Sequence, residues 1–89
     1  MKRIHVFVSG RVQGVNFRWN TKKFAEKLNI TGFARNLDDG RVEVIAEGED
    51  ESIGKLINYL KKGPVLSKVE HLDVKEEKYK GEFAGFSIF

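Results

Sequence analysis

Hydrophobic and polar positions alternate from the start of the chain. Ile4, Val6 and Val8 interleave with His5, Phe7 and Ser9, and this period of two predicts a half-buried strand over residues 3–9. Gly10-Arg11-Val12-Gln13-Gly14-Val15-Asn16 breaks the period and reads as a loop. Phe17, Phe24, Ala25 and Leu28 then keep roughly helical spacing, so a helix is expected over about 17–28. Asn29 suits the left-handed position that ends such a helix. Phe33 to Leu37 reads as a second strand, Asp38-Asp39-Gly40 as a hairpin turn, and Arg41 to Gly48 as a third strand. In that strand Val42 and Val44 share one face and Glu43 takes the other. Asp50 or Glu51 opens a second helix whose buried stripe is Ile53, Leu56, Ile57 and Leu60, and Gly63-Pro64 stops it. Val69 to Glu77 is a fourth strand with Leu72 and Val74 inward, and Phe86 to Phe89 can add a short last one. There are no repeats and no low-complexity segments.

The order βαββαβ, with a short final strand, predicts an α+β fold of the ferredoxin-like, split βαβ kind. Two helices cover one face of an antiparallel sheet and leave the other open. Strand 3 then lies between strands 1 and 2, which run parallel to one another. Their C-terminal ends emerge on one edge, about 10 Å apart across two strand spacings. That edge gathers the loop Gly10–Asn16, the start of the first helix and Asn36. A chain of 89 residues has room for one domain, 1–89.

Composition narrows the chemistry. There is no cysteine, which removes disulfides, thiolate nucleophiles and iron–sulfur clusters and fits a reducing, cytoplasmic compartment. Two histidines far apart, His5 and His71, exclude a histidine-rich metal cage; neither is expected to take part in catalysis. The net charge of +3 is mild, and lysines such as Lys22, Lys23 and Lys75 alternate with acids such as Glu26 and Glu76. Solvated faces explain that pattern better than a nucleic-acid footprint, while a small anionic substrate remains compatible. No apolar run reaches the roughly 20 residues of a membrane span, and the start lacks a signal-peptide core. Abundant Lys and Glu with a single Gln lean toward a thermophilic source.

The loop carries the most pointed signal. Glycines at 10 and 14 let a backbone turn tightly into a helix N-terminus, where free N–H groups and the dipole favour an anion. Arg18 sits in the first helical turn, where a cation opposes the dipole at a cost of about 0.3–1 kcal/mol. A bound anion reverses that cost through a charge-assisted contact. The spacing matches neither GxGxxG nor GxxxxGK[ST]. Taken locally, two turn glycines with a surface arginine remain an equal reading, and Asn36 reads as a turn-supporting residue. Asp38 and Asp39 read as turn formers. Trp19 either borders a pocket or packs under the loop.

The run Gly10-Arg11-Val12-Gln13-Gly14-Val15-Asn16-Phe17-Arg18 is followed by Ala25, Leu28, Thr31-Gly32-Phe33, Arg35-Asn36-Leu37, Asp39-Gly40 and Val42-Glu43-Val44. Together with Gly48 and Phe86-Ser87-Ile88, this resembles the acylphosphatase family over nearly the whole chain. The resemblance implies hydrolysis of small acyl phosphates to carboxylate and inorganic phosphate, without metal or other cofactor, by a chain expected to be a monomer. It implies that the backbone of Arg11, Val12, Gln13, Gly14, Val15 and Asn16 cradles the phosphoryl group. It further implies that Arg18 binds the phosphoryl oxygens and that Asn36 positions the attacking water. Three positions depart from the family's habit. Asn16 stands where glycine or an aromatic is frequent, Phe33 replaces a frequent tryptophan, and Asn29 replaces a common glycine. A module that holds an acyl or carbamoyl phosphate, or another anion, with little turnover is the alternative. An RNA-binding βαββαβ domain is a weaker one, because the third strand has no aromatic residue and two acids. Nothing in the sequence reads the acyl end of the substrate.

Overall fold

The computed structural model describes residues 1–89. The alternating start of the chain becomes β1 (Lys2–Arg11), and the helical spacing after the loop becomes α1 (Phe17–Lys27). The hairpin that follows is β2 (Thr31–Asn36) and β3 (Val42–Gly48). Then come α2 (Asp50–Lys62), β4 (Lys68–Glu77) and β5 (Phe86–Ile88). Asn29, at φ 56°, takes the left-handed position beyond α1, and Gly63, at φ 74°, turns the chain out of α2. Asp50 and Glu51 at the start of α2, with Lys61 and Lys62 at its end, complement the helix dipole.

The strands lie in the order β4-β1-β3-β2-β5. β3 runs antiparallel to both β1 and β2, as the split βαβ order demands. Ile4, Val6 and Val8 of β1 and Val42, Val44 and Ala46 of β3 point to one side. There they meet Phe17 and Ala25 of α1 and Ile53, Leu56 and Leu60 of α2, so both helices pack on that face. No helix is long and apolar enough to cross a membrane.

Three features differ from the sequence expectation. First, the sheet is not wholly antiparallel, because β5 pairs parallel with β2. β4 ends at Glu77 at the end of the sheet away from the loop, so residues 78–85 cross to the opposite edge. β5 then runs back toward the loop beside β2. Second, Val74 is 37% exposed rather than inward. α2 leads into the start of β4, where Val69 and Leu72 pack on the core, and the edge strand beyond them is uncovered.

Third, the face away from the helices is not open. Arg3, Glu43 and Glu47 are buried there. Cross-strand register sets Arg3 opposite Glu47, and Arg3 donates to Glu77 (2.9 Å), Glu82 (2.7 Å) and Glu47 (3.2 Å). The backbone amides of Lys80 (2.8 Å) and Gly81 (3.3 Å) also donate to Glu47 Oε2, which pins the crossing segment onto the sheet. Burial pushes the Glu47 carboxyl up, but those two amides and Arg3 outweigh it and hold it below the usual carboxylate range. Glu43 behaves likewise: burial is outweighed by its bonds to His5 and Arg35. Glu77 is lowered chiefly by its bond from Arg3, then by His5. His5 lies between Glu77 (3.0 Å) and Glu43 (2.6 Å), on the opposite face from the helices.

Candidate active site

The loop after β1 is shaped by two glycines for different reasons. At Gly10 the pairing with β4 shifts register, a bulge with φ 124°. A Cβ there would lie 2.2 Å from the Lys68 carbonyl oxygen, so only glycine lets the two strands approach this closely. Gly14 has open space around it but takes φ 74°, so it is needed for backbone conformation rather than room. Asn16 continues the turn at φ 60°, ψ 27°, the left-handed conformation that asparagine tolerates.

That conformation leaves α1 without a side-chain cap, and no acidic residue occupies its first turn. The backbone amides from Gln13 to Trp19 donate to no backbone carbonyl. Asn20 instead grips the Asn16 carbonyl with its backbone amide (3.0 Å) and its side-chain Nδ2 (2.9 Å), fixing the entry to the helix. The helix therefore starts with a row of unpaired donors and a positive dipole end facing outward, the arrangement that attracts an anion.

Val12, Gly14, Asn16, Phe17, Arg18, Trp19, Asn36 and Ile88 line one cleft of about 250 Å³. Five sequence-expected site residues thus come together: Arg18, Asn36, Val12, Gly14 and Asn16. The other three sit around them. Arg11 is exposed at the end of β1, paired with Lys68, and Val15 packs on the core. Gln13 turns its side chain away, and Nε2 donates to the carbonyls of Leu37 (2.8 Å) and Arg41 (2.9 Å). The Val12 amide is already engaged by the Gly10 carbonyl (3.1 Å), which leaves the amides beyond it for a ligand.

Arg18 is held from the far edge of the sheet. Its Nη1 donates to the Phe89 carbonyl oxygen at 2.5 Å, and the remaining guanidinium donors stay unengaged. Phe89 is in turn fixed by donating its amide to Ala34 (3.0 Å), two residues before Asn36. Sequence reasoning expected this last strand but missed its contact with Arg18, and it missed the Gln13 bridge. Trp19, left open by the sequence, borders the cleft. His5 lies on the other face of the sheet, and His71 is exposed on β4. No group of three or more His, Asp or Glu side chains is placed to hold a metal ion.

Residues 4–88 match the family model described as Acylphosphatase. The chain belongs to the acylphosphatase family. It is 50% identical over 88 residues to an acylphosphatase of Syntrophus aciditrophicus, covering 99% of this chain and 92% of that one. An acylphosphatase of Roseiflexus sp. is 49% identical, with 99% and 95% covered. A crystal structure of acylphosphatase from Bacillus subtilis superposes with a TM-score of 0.95 at 37% identity, covering 100% of this chain and 99% of that one. The family resemblance and the ferredoxin-like α+β fold are both borne out. The chain is an enzyme of this family, a hydrolase that cleaves acyl phosphates.

Proposed function

We propose that the cleft at the start of α1 hydrolyses small acyl phosphates by direct attack of water on phosphorus. The backbone amides that follow Val12 and the Arg18 guanidinium hold the phosphoryl oxygens, and the Asn36 carboxamide holds the water. The water oxygen forms a bond to phosphorus while the bond from phosphorus to the acyl oxygen breaks. The electron pair leaves with the carboxylate, and both water protons remain on the inorganic phosphate. A carboxylate leaving group corresponds to an acid of pKa about 4, so it departs without a general acid. What remains is positioning and stabilisation of oxygen charge, which amides and a guanidinium supply.

The observation that carries this reading is the meeting of Arg18 and Asn36 in one cleft with an uncapped helix N-terminus. Arg18→Gln is expected to abolish turnover of acetyl phosphate, and Asn36→Ala to cut kcat by two orders of magnitude or more, both with the fold retained. Reaction in ¹⁸O-water should place the label in phosphate. Label in the carboxylate, a trapped phosphoprotein, or an active Arg18→Gln protein would overturn the mechanism.

The same reading makes residues 1–89 one cytoplasmic domain working as a monomer, without a metal, nucleic-acid or membrane partner. The cysteine-free sequence fits that compartment, and the charged, alternating edge strand β4 resists pairing with a second copy. The sheet face that an RNA-binding domain would use for base stacking carries the Arg3–Glu47 and His5–Glu43 pairs instead. Turnover that survives a chelator supports the metal-free reading, and a melting midpoint above the mesophile range of about 45–65 °C supports the thermophilic one.

A further inference from the structure

The cleft has a second half that phosphoryl binding does not use. Gly14, Asn16, Arg18 and Asn36 account for its polar side, while Val12 and Phe17 are buried beneath it. The apolar surface left accessible belongs to Trp19, 51% exposed, and Ile88. The two arrive from opposite directions: Trp19 follows Arg18 in the first turn of α1, and Ile88 is brought in by β5 at the register of Ala34. Each already has a neighbour in the fold. Lys23, one turn along the helix, sets its Nζ 5.3 Å from the centre of the Trp19 ring, and Ile88 packs against the core.

We propose that Trp19 and Ile88 form the wall against which the acyl substituent packs, so that Trp19 sets how strongly this enzyme separates a bulky apolar substituent from an acetyl group. The proposal rests on the catalytic reading above. With the phosphoryl group at the start of α1, the acyl substituent has to leave the polar side of the cleft. The accessible walls next to it are these two side chains. A cleft of about 250 Å³ is smaller than the 300 Å³ and more typical of drug-sized ligand pockets, so it suits a phosphoryl group with one compact substituent. An indole has only two side-chain torsions to fix, so it offers a large contact area to the substituent at a small entropic cost.

The experiment compares benzoyl phosphate with acetyl phosphate in the wild type, Trp19→Ala and Trp19→Phe. The readout is the ratio of kcat/KM for benzoyl over acetyl phosphate. Trp19→Ala is expected to lower that ratio roughly three- to tenfold, mainly through KM for benzoyl phosphate, and Trp19→Phe to restore most of it. An unchanged ratio in Trp19→Ala overturns the subsite while leaving the catalytic reading intact. Failure of the wild type to turn over either compound overturns the catalytic reading itself. Trp19 is the single tryptophan, so its fluorescence gives an independent readout. Benzoylphosphonate should change its emission beyond the change produced by saturating inorganic phosphate, and an equal change overturns the subsite.

Discussion

Gln13 is the residue whose removal best separates position from stability. Its side-chain amide spans two carbonyls of the β2–β3 connection, Leu37 at 2.8 Å and Arg41 at 2.9 Å, and so ties the phosphate loop to the strand end that carries Asn36. Gln13→Ala removes both bonds. Neither carbonyl is orphaned, because Gly40 donates to Leu37 (3.1 Å) and Leu37 donates to Arg41 (2.8 Å). The stability cost is therefore that of two ordinary hydrogen bonds without a desolvation penalty, about 1–2 kcal/mol. The catalytic cost is larger. Loop and Asn36 lose the brace between them, and a misplacement of about 1 Å is enough for a loss near 10²-fold.

The expected result is a kcat on acetyl phosphate reduced about 10- to 100-fold in a protein whose urea midpoint shows a loss of no more than about 2 kcal/mol. Gln13→Glu is an informative companion. It keeps the shape but sets a carboxylate against two carbonyls, so it should fall at least as far as alanine. A Gln13→Ala protein with wild-type kcat and a lowered midpoint would refute the reasoning, since it would make the bridge a stability device alone.

Other expectations follow from the same geometry. Gly10→Ala should destabilise far more than Gly14→Ala in urea titrations, because the first drives a Cβ to 2.2 Å from a carbonyl oxygen and the second meets only a backbone preference of about 1–2 kcal/mol. Glu47→Ala removes the carboxylate that holds Arg3 and two backbone amides; breaking a buried pair of this kind costs about 3–5 kcal/mol, a fall in melting midpoint of at least about 12 °C. Stability should also fall in acid. The carboxyls of Glu43, Glu47 and Glu77 are all lowered in the folded chain, so their contribution is fully present above the ordinary Glu value near 4.3 and is lost as pH falls below it. Urea midpoints that do not change between neutral pH and about pH 3 would contradict that sign.

Much of the fold could be read from local pattern, because strands and helices here keep their periods and their stops. The alternation of Ile4, Val6 and Val8, the left-handed Asn29 and the Asp38-Asp39-Gly40 turn all act within a few residues. Arg18 was legible for a similar reason: a cation in the first turn is a local anomaly that any window over α1 exposes. What the sequence hid are contacts whose partners lie far along the chain. Glu43 and Glu47 look like the solvated side of an amphipathic strand, yet they are buried because Arg3 stands opposite Glu47 and residues 78–82 return across the sheet. The three carboxylates that Arg3 binds, Glu47, Glu77 and Glu82, lie 44, 74 and 79 positions along the chain from it. Gln13 reached 24 and 28 residues to its carbonyls, beyond any local rule. The one available signal was two acids on one face of β3, directly across from Arg3 and Phe7 once the register is drawn.

These hidden contacts matter to the site because of the kind of chemistry it performs. The polar side chains of the cleft are amides and a guanidinium, groups that bind and orient without serving as general acid or base. Rate then depends on where they stand. The buried pairs on the far face pin residues 80 and 81, and the chain continues from there into β5, which delivers Ile88 to the cleft and the Phe89 carbonyl to Arg18. The crossing segment thus links a charge cluster on one face of the sheet to the aim of the arginine at its edge. Loosening Glu47 should for that reason lower kcat as well as the melting midpoint, even at temperatures where the variant remains folded.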